Sequence, residues 1–218
     1  LAGHDPKDAT SARRLAGGHA AARRDAPGDL GGVRIGLDRW ALEEAEAPVR
    51  AAIEAASEVL KERGATLAEV TLPLSEHALS AYALIAAAEA SSNLARFDGV
   101  RFGRRERRED LMATYRATRG RGFGPEVKRR ILLGTYALRA GYADRLYEKA
   151  LALRARLIEG YRALFRSVDA LLSPTSPGTA FRLGERLDDP LSMYRADRLT
   201  LPSSLAGLPA LSLPVGMA

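Results

Sequence analysis

Hydrophobic positions along this chain fall into two alternating periods. Across residues 31–38 (GGVRIGLD), Val33, Ile35 and Leu37 repeat every second residue, the pattern of a buried strand. Val49, Ile53, Ala56 and Leu60 then repeat at helical spacing until Gly64, and residues 66–72 form a second strand pattern. A strand, helix, strand unit of this kind makes its two strands parallel, joined by a right-handed crossover. Residues 75–94 predict a helix that starts after Pro73 and carries Tyr82 and Glu89. A short helix near 110–118 is expected to be interrupted by Gly120, Gly122 and Gly124. A longer one over 142–165 places Leu146, Ala150, Leu153, Leu157 and Tyr161 on its inner face. Residues 168–172 read as a strand closed by SPTSPGTA, where Pro174 and Pro177 bar a helix. Asp188, Asp189 and Pro190 open a helical turn that holds Tyr194 and Asp197, with the acids in a capping role. Leu211 and Leu213 alternate into a predicted last strand within 205–216. Residues 1–32, rich in Gly, Ala, Asp and Arg without a sustained period, read as a connecting arm, which leaves 33–218 as one α/β domain. Leu1 is not an initiator and the last strand stops without a partner, so the domain is expected to be partial, cut at both ends.

The most informative stretch is 120–142, GRGFGPEVKRRILLGTYALRAGY. Pro125 suits a first helical position and Glu126 complements the positive end of the helix dipole, so a helix begins there. Val127, Ile131, Gly134 and Leu138 share one stripe at about 100° per residue, which is a face turned to the core. Arg129 points away from that stripe. Arg130 lies beside it, roughly 70° from its centre, and either borders a partly buried pocket or snorkels to solvent along a packed stem. Gly134, which costs about 1 kcal/mol relative to Ala in a helix, indicates close approach by a neighbouring backbone.

Composition narrows the chemistry. The 218 residues are 46% hydrophobic and 28% charged, enough for a real core in a water-soluble domain. No run has the ~18 apolar residues of a membrane-spanning helix, and LAGHDPKDAT lacks the regions of a signal peptide, so a cytoplasmic protein is the default. With no Cys, thiolate catalysis and disulfides are excluded, and His4, His19 and His77 are too scattered to form a ligand set. The net charge of +6 is carried almost wholly by arginine, since the lysines are Lys7, Lys61, Lys128 and Lys149. That balance is compatible with an RNA partner, and equally with a heat-adapted or GC-rich source. Residues 96–110, RFDGVRFGRRERRED, read as a solvated loop and helix start rather than as an RNA contact.

Five stretches carry a resemblance to a known family: AGHDPKD from Ala2, EASSNLARFDGVRFG from Glu89, GFGPEVKRRILLGTYALRAGY from Gly122, LGERLDDPLSMY from Leu183 and LAGLPALSLP from Leu205. In that order they resemble the A subunits of the aspartyl/glutamyl-tRNA amidotransferases, members of the amidase signature superfamily. The resemblance implies a mixed β-sheet covered by helices. It implies glutamine hydrolysis, with ammonia passed to a B subunit that amidates Glu or Asp on mischarged tRNA in an ATP-dependent step, in a heterotrimer with a C subunit. ATP and Mg2+ belong to that full complex, and no cofactor is expected on this chain. The family's catalytic serine, its second serine joined by a cis peptide and its lysine lie in a Gly- and Ser-rich signature that this sequence does not contain, so no catalytic residue is assigned. Neither Ser91 with Ser92 nor Ser203 with Ser204 is framed by glycines that would bring backbone donors to an oxyanion. Position by position, the resemblance places the arginine that binds the glutamine carboxylate at Arg130 in VKRRI and the acid that binds its ammonium at Asp197 in MYRAD. It places a pocket tyrosine at Tyr82. A free amino acid needs both an anion and a cation partner, and arginine matches a carboxylate bidentately. Two rivals remain: a stand-alone amidase acting on another carboxamide, which has no need of the Arg130 and Asp197 pair, and a non-enzymatic RNA-binding module using residues 101–121. Against the latter stand Glu106, Glu109 and Asp110 within the run and a sparse supply of aromatic residues for stacking.

Overall fold

A computed structural model describes residues 4–9, 11, 28–186 and 188–216, with the side chain of Asp144 excepted; most of the proposed arm 1–32 lies outside these residues. Strand β1 (Arg34–Asp38) is flanked by β2 (Thr66–Val70) and β3 (Ala170–Leu172) in the order β2-β1-β3. Both pairings are parallel, with Ile35 opposite Leu67 on one side and Ala170 on the other. Central position explains composition: β1 carries the buried Ile35 and no proline, since both of its edges must donate to a ladder. Arg34 fastens the far strand by donating from Nε and Nη2 to Asp169 at 3.1 and 2.8 Å, while its backbone N–H donates to the same carboxylate at 2.9 Å.

Helix α1 (Arg39–Glu43) starts where the Asp38 carboxylate accepts from the Ala41 N–H, and α2 (Ala47–Glu62) forms the crossover to β2. Three further helices make the main core: α3 (Ala78–Asn93), α6 (Ala143–Leu164) and the short α8 (Leu201–Ala206). Ala81 and Ile85 meet Ala150, Leu157 and Tyr161 there, with Leu201 and Leu205 closing the cluster. Between α3 and α6 in sequence lie α4 (Leu111–Gly122) and α5 (Pro125–Ala137). Helix α7 (Pro190–Ala196) is capped by Asp189, whose carboxylate accepts from the Leu191 and Ser192 N–H groups at 3.1 Å, as the sequence predicts.

Three expectations are corrected. Helix α4 runs through Gly120 and ends at Gly122, so only Phe123 and Gly124 separate it from α5: two exposed glycines weaken a helix without breaking it. Leu138 does not continue the buried stripe, because α5 ends at Ala137 and Leu138 is its exposed C-cap; Gly134 and Ala137 are the buried positions. The predicted strand within 205–216 is absent. Residues 201–206 are helical instead, Gly207 ends that helix with φ of +70°, and Leu211 and Leu213 are exposed with no ladder partner among the described residues. Alternation alone does not make a strand, which exists only where its backbone is hydrogen-bonded to a partner.

The close approach read from Gly134 is present. A Cβ there would overlap the Ala87 carbonyl group and come within 2.9 Å of the Ala88 nitrogen, so α5 lies against the backbone of α3. This contact brings Arg130, one turn before Gly134, beside Tyr82 on α3.

Candidate functional site

Gly124 and Pro125 open α5, and Glu126 sits in its first turn. Arg130, four residues on, returns across that turn so that its Nε donates to Glu126 Oε1 at 2.8 Å. Its Nη1 donates to the Tyr82 hydroxyl at 3.2 Å. The guanidinium carbon lies 5.9 Å from the Tyr82 ring centre and 5.5 Å from that of Tyr194 on α7, within range of cation–π attraction to both. The Tyr194 hydroxyl in turn donates to Glu126 Oε1. Helices α3, α5 and α7 thus meet around one arginine.

Electrostatics follow from these contacts. The Tyr82 hydroxyl first and the Glu126 carboxylate second raise the Arg130 pKa further above its ordinary range, against a smaller opposing effect of burial. Glu126 is held below the usual carboxylate range, chiefly by the Tyr194 hydroxyl and further by Arg130 and Arg129, with burial opposing. Both groups are therefore charged near neutrality. Arg130 retains about a third of its side-chain exposure, and among the described residues its Nη2 has no acceptor. A guanidinium gripped through Nε and flanked by aromatic rings, with an outer edge still open, is prepared to receive a planar anion.

Arg129 lies on the exposed side, as its helical angle predicts, and pairs with the other oxygen of Glu126. Asp197 is the C-cap of α7, three residues and so about one turn beyond Tyr194. Its carboxylate is exposed and, among the described residues, makes no ion pair or hydrogen bond, including none with Arg130. The structure therefore joins Tyr82 and Arg130 directly and reaches Asp197 through the helix that carries Tyr194. The sequence pattern ties Glu126 only to the helix dipole and gives Tyr194 no role at the site. The four-residue spacing of Glu126 and Arg130 was a usable signal, whereas Tyr194 is 68 residues from its partner and left none.

The serine pairs are occupied locally. Ser91 Oγ donates to the Ala88 carbonyl and Ser203 Oγ to the Thr200 carbonyl, both at 3.0 Å. Among the described residues no lysine reaches a serine: Lys61 bonds Glu58 and Lys128 bonds the Gly120 carbonyl. No helix among them is long and apolar enough to cross a membrane.

Comparison with known proteins gives the family of the chain. The family described as Amidase matches residues 1–218. The chain is 51% identical over 217 residues to the A subunit of the glutamyl-tRNA(Gln) amidotransferase of Chloroflexus aggregans, covering 99% of this chain and 44% of that protein. Identity to the A subunit of the enzyme of the same name in Rhodospirillum rubrum is 50% over 218 residues, covering 100% of this chain and 43% of that one. In three dimensions the chain is similar to the crystal structure of the A subunit of glutamyl-tRNA(Gln) amidotransferase from Thermotoga maritima, with a TM-score of 0.63 and 31% identity over 94% of this chain and 39% of the other. A bacterial aryl acylamidase of the amidase signature enzymes shares the fold, with a TM-score of 0.61 at 20% identity over 87% of this chain and 38% of that one. The chain spans less than half the length of these relatives. Since the match runs along every residue present and the α/β architecture agrees, the chain belongs to the Amidase family.

Proposed function

We propose that this chain is the glutamine-recognising part of the A subunit of a tRNA-dependent amidotransferase. The observation that carries the reading is the Arg130 guanidinium, held by Tyr82, Glu126 and Tyr194 with an edge left open. Arg130 binds the α-carboxylate of glutamine, Tyr82 lines the same place, and the exposed Asp197 receives the α-ammonium. Glu126 fixes the plane of the guanidinium without competing for its open edge. In this reading residues 33–218 are the C-terminal part of the amidase domain and 1–32 the arm leading to it.

The hydrolytic serine and its lysine partner belong to sequence outside this chain, so the isolated chain binds glutamine without releasing ammonia. In the whole enzyme the ammonia passes to a B subunit, in a cytoplasmic complex with a C subunit, where mischarged Glu-tRNA(Gln) or Asp-tRNA(Asn) is amidated with ATP and Mg2+. No cofactor is assigned to this chain. The test is Arg130→Ala in the assembled enzyme, comparing glutamine with ammonium as nitrogen donor. Use of glutamine is expected to fall about ten- to a hundred-fold, the value of a charge-assisted pair of about 1.5–3 kcal/mol, with ammonium use unchanged. Equal losses with both donors would overturn the reading.

A further inference from the structure

The segment between α3 and α4 is built more firmly than a solvated loop requires. Asp98 accepts from the Val100 and Arg101 N–H groups at 2.8 and 3.1 Å, closing a turn. The buried hydroxyls of Thr114 and Thr118 on α4 accept from the Arg108 and Glu106 N–H groups, each at 3.0 Å. Gly99, at φ of +75°, packs so tightly on Thr118 that a Cβ would come within 2.6 Å of its methyl carbon. Arg119 donates to the Leu94 and Phe97 carbonyls at 3.0 and 3.1 Å. Residues 97–110 are thereby laid along α4 at several points.

This framework displays charge. Residues 96–121 contain nine arginines and four carboxylates, which accounts for five of the chain's six net positive charges. Glu106 is committed to Arg104 and Arg121 at 3.2 and 3.3 Å. Arg101, Arg105 and Arg107 are exposed and have no ion-pair partner among the described residues. In the same segment the fold brings Phe123, from the end of α4, to Phe97 and Phe102. Phe97, Phe102 and Phe123 line one cavity of about 230 Å³ together with Arg104, Arg119 and Arg121. Phe102 is 51% exposed and Phe97 39%, while the Arg119 guanidinium lies 4.9 Å from the centre of the Phe123 ring.

We propose that this cleft is a docking site for unpaired nucleotides of RNA, with Phe97 and Phe102 as stacking faces and Arg101, Arg105 and Arg107 as phosphate contacts. Exposed aromatic rings next to unpaired arginines are the two components of single-strand recognition, since bases stack on the rings while cations follow the backbone. An acidic protein surface would be served by the charge alone and gives no reason for open phenylalanines beside it. The choice of RNA over DNA rests on the tRNA-dependent reading above; stacking and charge do not depend on it.

The test is fluorescence anisotropy of the purified 218-residue chain with a labelled single-stranded RNA of about 15 nucleotides, long enough to fill one such site, its duplex form and polyglutamate, across a salt series. Circular dichroism confirms that each variant is folded. Expected is preference for the single strand, an affinity loss of about 5- to 100-fold for Phe102→Ala with an unchanged salt slope, and a salt slope reduced by roughly 1.4 units for Arg105→Ala with Arg107→Ala. Unaltered affinity in Phe102→Ala, or duplex or polyglutamate bound as tightly as the single strand, would overturn the proposal. Because glutamine is absent from this measurement, its failure leaves the glutamine site untouched, and failure of the glutamine assay leaves stacking and charge to be read here.

Discussion

Arg129 and Arg130 are chemically identical neighbours, and the roughly 100° step between them gives them different work: one shields the outer oxygen of Glu126, the other is drawn in between two tyrosines. The hydroxyl of Tyr194 is expected to matter through Glu126. Tyr194→Phe should lower stability by about 0.5–1.5 kcal/mol in urea unfolding and weaken glutamine binding less than Arg130→Ala does; a variant as impaired as Arg130→Ala would place Tyr194 on the ligand itself. A second residue-scale prediction concerns pH. Side-chain and backbone hydrogen bonds from Arg34 hold the Asp169 carboxyl down to about 2, below the ~3.9 of a free Asp. Its folded pKa is thus the lower one, so its stabilisation is fully present above about pH 5 and is lost as pH falls through the range from about 4 to 2. Urea midpoints of the parent and Asp169→Asn should differ at about pH 6 and converge only below about pH 2. A difference that grows on acidification would contradict this sign.

At the scale of elements, the contact of α5 with α3 is the feature that assembles the site. Alanine is the better helix former by about 1 kcal/mol, yet Gly134→Ala should destabilise by about 1–3 kcal/mol, because its methyl group meets the Ala87 carbonyl rather than a movable side chain. A raised urea midpoint would mean that the helices are not this close. That contact was legible in the sequence as one glycine within an apolar stripe, and the β1, α2, β2 unit was legible as a change of period from about 2 to 3.6 and back. The region after Gly207 was not. Its leucines alternate, but pattern records only which side chains share a face and carries no information on whether an edge is available to pair with. The glycines of α4 misled in the opposite sense, since a local propensity of about 1 kcal/mol each yields to a helix anchored at Asp110 and by the loop bonds to Thr114 and Thr118.

Over the whole molecule, the three helices that build the site come from 78–93, 125–137 and 190–196, and their meeting around Arg130 was the least predictable part of the fold. Periodicity selected Arg130 and the family resemblance selected Arg130, Tyr82 and Asp197. Only the packing of α7 added Tyr194 and showed how Glu126 is shared. The role proposed for Arg130 is to read the α-carboxylate of glutamine. Its most direct measurement compares kcat/KM for glutamine and for its α-carboxamide analogue, which lacks that carboxylate, in the assembled enzyme and in its Arg130→Ala variant. The parent enzyme should favour glutamine about ten- to a hundred-fold, and Arg130→Ala should abolish that preference by slowing glutamine while leaving the analogue unchanged. A variant that loses both substrates equally and keeps the preference would show that the carboxylate is held elsewhere.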